Sequence, residues 1–138
     1  MTVRRVLFVC SGNICRSPMA EAMAKQRFGD RFDISSGGSV ARDGDRATDL
    51  MQEVAAEHGF DLSGHRARNT STIRQPDLVF GMEQLHLVEA KRRWPDMEPG
   101  SIRLLDHPMV IVDPYGRTID DYRAAADHIQ RAIDALVL

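Results

Sequence analysis

Two kinds of hydrophobic run alternate along the chain. Residues 3–9 are almost continuously apolar and rich in β-branched side chains, the pattern of a central strand buried on both faces. From Ser17-Pro18 the spacing changes: Ala20, Met23, Ala24 and Phe28 make an apolar stripe at helical period. Pro18 suits the first helical turn, where its missing N–H is harmless, and Gly29 supplies a stop. A short second strand is predicted over 32–36. The glycine-rich stretch 37–45 reads as a loop, and Asp45 is placed to cap a helix carrying Ala47, Leu50, Met51, Val54 and Ala55 on one face, with Gly59 at its end. Residues 61–75 lack periodicity and read as a loop with room for a helical turn. A third strand over 77–82 runs into a helix over 83–94, and Pro95, Pro99 and Gly100 mark a turn before a fourth strand over 102–105. After a loop over 109–116, Thr118 and Asp121 have the spacing of a capping box. The last helix lines one side with Tyr122, Ala125, Ala126, Ile129, Ile133 and Leu136.

Strands alternating with helices predict an α/β fold with a mostly parallel sheet. In such sheets ligands bind beyond the carboxyl ends of the strands. The length of 138 residues fits one domain, 1–138, with one substantial core. The apolar fraction of 43% and charged fraction of 28% are those of an ordinary soluble globular chain. A formal charge of −2 gives no basic footprint, which argues against nucleic acid as a partner. The first apolar run is too short for a membrane span and leads into a polar turn, so neither membrane insertion nor a signal peptide is expected. A cytoplasmic location follows by default.

The chemistry concentrates in the turn after the first strand. Cys10, Ser11, Gly12, Asn13, Ile14, Cys15, Arg16 and Ser17 lead into a helix N-terminus. Free backbone N–H groups and the helix dipole there favour a small tetrahedral anion, and the same field favours a thiolate at Cys10. Arg16 stays charged, and its planar fork matches two phosphoryl oxygens. Gly12 permits dihedrals other residues resist, Asn13 tolerates a left-handed backbone, and the Ser17 hydroxyl is placed to donate to the Cys10 sulfur. A nucleotide P-loop would end in Gly-Lys-Ser/Thr, and this turn has no lysine. The two cysteines are close together, which suits functional thiols in a reducing compartment better than a disulfide framework. Cys15 has two open readings: a small core residue, or the partner of a reversible disulfide that shields Cys10 from overoxidation.

CSGNICRSPMAEA resembles the signature of the low-molecular-weight protein tyrosine phosphatases. HGFDLSGHRAR (58–68), VFGME (79–83) and VDPYG (112–116) resemble later segments of that family in the same order. The resemblance implies one phosphatase domain: a three-layer, Rossmann-like sandwich around a four-stranded parallel sheet. It also implies a mechanism in which Cys10 attacks phosphorus and forms a cysteinyl-phosphate. Arg16 and the N–H groups of residues 11–17 would hold the phosphoryl oxygens, and Asp113 would serve as general acid and then base. No cofactor or metal is implied. Asn13, Ser17 and His65 would brace the loop, and Tyr115 would be a rim aromatic or a loop anchor. The implied partners are a phosphotyrosine protein or a small aryl phosphate, with inorganic phosphate as product. Family members often carry an aromatic wall residue in the loop after the second strand. Here that loop (37–47) is shorter, has none, places Ala41 near the expected rim and carries Arg42. A more open or polar cleft is expected on that side, which bears on phosphotyrosine preference more than on phosphatase chemistry.

Two other functions fit parts of the pattern. Arsenate reductases of the same fold use a similar C-x5-R-S loop but pass oxidation to cysteines further along the chain, and this sequence has none beyond Cys15. A non-catalytic phosphoryl-binding module would keep the loop without needing Cys10 and Asp113 together. The physiological substrate and oligomeric state are not legible in the residues.

Overall fold

The continuous apolar run forms β1 (Arg5–Cys10), which lies between two parallel neighbours in the computed structural model, where residues 3–138 are described. The other elements are α1 (Arg16–Phe28), β2 (Asp33–Gly38), α2 (Asp49–Glu57), β3 (Leu78–Gly81), α3 (Gln84–Arg93), β4 (Ile102–Leu104) and α4 (Ile119–Ala135). The sheet order is β2-β1-β3-β4 and every pairing is parallel. Cys10 pairs with Gly38 at the last position of both strands, so the thiol sits at the carboxyl edge.

Alternate residues of β1 feed different cores, as the pleat requires. Val6, Phe8 and Cys10 pack with α1, α2 and α4, whereas Leu7 and Val9 pack with Leu87 and Trp94 on the α3 side. The result is the expected three-layer α/β sandwich. Phe8 and Phe80 stack across neighbouring strands at 5.6 Å. Among the described residues, no helix is long and apolar enough to cross a membrane.

The expected capping box of α4 is present: Thr118 Oγ1 accepts from the Asp121 N–H, and the Asp121 carboxylate accepts from the Thr118 N–H. The expected cap of α2 is not. Thr48 caps it instead, its Oγ1 accepting from the Met51 N–H at 3.3 Å. Asp45 is held elsewhere: its carboxylate accepts from Arg42 Nε and its carbonyl from the Ala67 N–H at 2.7 Å. Residues 61–75 are a loop with one 3-10 turn, Thr70–Thr72.

Candidate active site

Residues 11–15 turn the chain from β1 into α1, and Asn13 is the centre of that turn. It is fully buried and has φ 55°, so Asn13, and not Gly12, takes the left-handed backbone. Its side-chain amide makes three bonds: Nδ2 donates to Ser17 Oγ (2.8 Å) and Ser36 Oγ (2.9 Å), and Oδ1 accepts from the Arg68 N–H (2.9 Å). Its own N–H donates to Cys10 Sγ at 3.3 Å. Its carbonyl accepts from His65 Nε2 at 2.6 Å, which fixes the hydrogen of that imidazole on Nε2. Ser17 Oγ lies 2.9 Å from Cys10 Sγ. Because Ser17 Oγ already accepts from Asn13, its own hydrogen is left for the sulfur or for the more distant Gly37 carbonyl at 3.4 Å. Two donors, the Asn13 N–H and the Ser17 hydroxyl, therefore face the Cys10 sulfur.

Arg16 opens α1 and is 1% exposed, an unusual burial for a permanent cation. Its Nη1 donates to Glu83 Oε2 (3.0 Å) and to the Ile111 carbonyl (2.6 Å), which occupies both hydrogens of that nitrogen. Nη2 faces Asp113 Oδ2 at 3.7 Å. Asp113 comes to the site because its loop is tied to the end of β3: the Leu105 N–H donates to the Gly81 carbonyl and the Ile111 N–H to the Met82 carbonyl. Asp113 Oδ1 accepts from the Tyr115 N–H at 3.1 Å, so Oδ2 is the oxygen turned towards Arg16.

Cys10, Ser11, Gly12, Ile14, Cys15, Arg16, Asp113 and Tyr115 line one cavity of about 160 Å³. Whole-ligand pockets typically start near ~300 Å³, so this one has room for a head group rather than for a whole ligand. Tyr115 is exposed at the edge, whereas Ala41 is not where it was expected. Ala41 is buried, with its carbonyl accepting from Asn69 Nδ2, and the exposed large apolar side chain of that loop is Val40, whose N–H donates to the Ser11 carbonyl. Cys15 is buried within reach of Thr48 Oγ1 (3.6 Å) and Tyr122 Oη (3.7 Å), and burial pushes its thiol pKa up. Both cysteines are free thiols.

Sequence reasoning missed Glu83, His86, Ser36 and Arg68. Glu83 and His86 tie the start of α3 together, the Glu83 carbonyl accepting from the His86 N–H and the His86 ring accepting from the Glu83 N–H. The usual signal of a helix start is Ser/Thr followed by Glu/Gln, and Glu followed by His does not display it.

The model of the family "Low molecular weight phosphotyrosine protein phosphatase" matches residues 5–137. A probable low molecular weight protein-tyrosine-phosphatase, EpsP of Ralstonia nicotianae, is 36% identical, covering 98% of this chain and 94% of that protein. The structure of Vibrio vulnificus Wzb in complex with benzylphosphonate superposes with a TM-score of 0.87 at 26% identity, covering 97% of each chain. The YwlE arginine phosphatase from Geobacillus stearothermophilus superposes at 0.85 with 30% identity, covering 95% of this chain and 88% of that one. The family match takes in residues 5–137, the turn at Cys10 and the loop at Asp113 among them, and the protein belongs to the low molecular weight protein tyrosine phosphatases, phosphoric monoester hydrolases.

Proposed function

We propose that this chain, acting as one phosphatase domain in the cytoplasm, hydrolyses aryl phosphate monoesters, phosphotyrosine in proteins among them. The observation that carries this reading is the convergence of Cys10 and Arg16, at the two ends of one turn, with Asp113 from a distant loop on one cavity of about 160 Å³. The Cys10 thiolate attacks phosphorus, forming the S–P bond as the P–O bond to the aryl group breaks. Asp113 gives its proton to the leaving oxygen from Oδ2. A water then attacks the cysteinyl-phosphate, Asp113 takes a proton from it, the S–P bond breaks and inorganic phosphate leaves. With Nη1 anchored on Glu83 and Ile111, the remaining N–H groups of Arg16 and those of the turn serve the equatorial oxygens. Ser17 donates to the sulfur as it leaves.

Turnover of p-nitrophenyl phosphate tests this. Cys10→Ser is expected to abolish hydrolysis while phosphate still binds, and Asp113→Asn to slow substrates with poor leaving groups most. Undiminished hydrolysis by Cys10→Ser would overturn the mechanism. The likeness to an arginine phosphatase supports a second reading, hydrolysis of phosphoarginine. Ile14 and the Tyr115 ring at the cavity suit an aryl group better, so a phosphotyrosine peptide is expected to turn over faster than a phosphoarginine peptide.

A further inference from the structure

We propose that His86 is a positioning residue for this reaction: through its two ring nitrogens the start of α3 holds Ser11 and keeps Glu83 on Arg16, fixing both ends of the phosphate-binding turn. The inference rests on the reading of that turn as the phosphoryl site.

The hydrogen positions follow from the partners. The Glu83 N–H can only donate, so His86 Nδ1, 3.1 Å away, accepts. A neutral imidazole then carries its hydrogen on Nε2, which faces Ser11 Oγ at 3.0 Å. The Glu83 carbonyl accepts from the His86 N–H, and its carboxylate reaches Arg16 Nη1 with Oε2. One helix start therefore grips the turn next to the nucleophile and again at the arginine. An ordinary capping residue sits at the surface with its free side in water. His86 is fully buried, and its second nitrogen goes to the residue after Cys10. The end of β3 is shaped to let it in: a Cβ on Gly81 would stand 3.1 Å from His86 Cβ and 2.8 Å from Leu87 Cδ2.

The charged groups facing the ring are Arg16 from α1, Glu83 and Glu89 from its own end of the chain, and Asp113 from the acid loop. Burial first, and then the Arg16 charge, lower its pKa; the three carboxylates oppose them. Protonation would put a hydrogen on Nδ1 against the Glu83 N–H. Two donors cannot share that contact, so the tie opens and Glu83 loses its registration on Arg16.

The test is kcat/KM for p-nitrophenyl phosphate across about pH 5 to 8 in wild type, Ser11→Ala, His86→Asn and the double variant. Asn keeps an acceptor near the Nδ1 position but cannot reach Ser11. Each single variant should lose about 3- to 10-fold above pH 7, the scale of one neutral hydrogen bond, and the double variant should lose no more than one of them. The ratio of wild type to His86→Asn should fall as acid protonates His86, since wild type then loses the Glu83 N–H contact at Nδ1 while the Asn variant keeps an acceptor there. Losses that multiply in the double variant, or a ratio that is flat with pH, would overturn the inference. If His86→Asn does not fold, Ser11→Ala leaves α3 untouched and its loss above pH 7 decides alone, unchanged kcat/KM overturning the inference. Wild-type turnover that is lost in Cys10→Ser separates failure of this inference from failure of the phosphatase reading.

Discussion

At the scale of single residues, Asn13 is where the most interactions meet. It supplies a left-handed backbone, an N–H to the Cys10 sulfur and three side-chain bonds to three different segments. Asn is one of the few non-glycine residues that takes φ near 55° at modest cost. Ala there would be strained and would leave the Arg68 N–H and two serine hydroxyls without their partner. Asn13→Ala is expected to destabilise the fold by on the order of 3 kcal/mol, the sum of one strained residue and a few unpaired buried groups. Urea unfolding checks that value, and p-nitrophenyl phosphate turnover should fall with it. Unchanged stability would mean that the Asn13 bonds add nothing to the turn. The residue type and position were legible in the sequence, because a left-handed turn and a buried amide are both properties of Asn. Its partners Ser36 and Arg68 were not, since only the sheet brings 36 and 68 under 13.

At the scale of elements, the periodic segments could be read directly and the long-range ties could not. The apolar stripes of α1 and α4 and the continuous run of β1 declare their own structure. The α2 cap does not: a local reading prefers Asp45, but a pairing with Ala67 holds that residue and hands the cap to Thr48. The same limit hid the Glu83–His86 tie, whose purpose shows only when α3 meets the cysteine turn. The close approach of β2 to that turn depends on Gly38. A Cβ at this position would lie 2.5 Å from the Ser11 carbonyl oxygen and 2.8 Å from the Asn13 nitrogen, both main-chain atoms with no flexible end to yield. Gly38→Ala is therefore expected to shift the turn at a cost of about 1–3 kcal/mol, the range for overpacking a filled site. Thermal melting should show a folded protein while kcat/KM drops at least tenfold. Full activity in that variant would place the turn's tolerance well beyond what the distances allow.

For the whole molecule, buried neutral groups and exposed paired carboxylates predict a stability plateau bounded on both sides. On the acid side, His86 has a folded pKa below its ordinary 6.5 because of burial and Arg16. Between those two values the unfolded chain binds more protons, so stability falls as pH drops from about 6.5. Asp121, held by its bonds to Thr118, Asp61, held by Ser63, and Glu57, held by Arg123, also titrate below their ordinary values. Their contribution is present above about pH 4 and is lost as pH falls through their folded values. On the alkaline side the sign reverses. Burial raises Cys15 above its ordinary 9.0 and Tyr122 from 10.0 to about 12. The unfolded chain then gives up protons first, so stability declines from about pH 9 upwards. Melting temperature measured by calorimetry should be flat between about pH 7 and 8.5 and fall in two stages in acid. His86→Asn should erase the first acid stage, and Tyr122→Phe should soften the alkaline decline while leaving the acid side alone. A first acid stage that persisted in His86→Asn would show that the imidazole is not held neutral by the packing around it, and that some other group senses the drop from neutral pH.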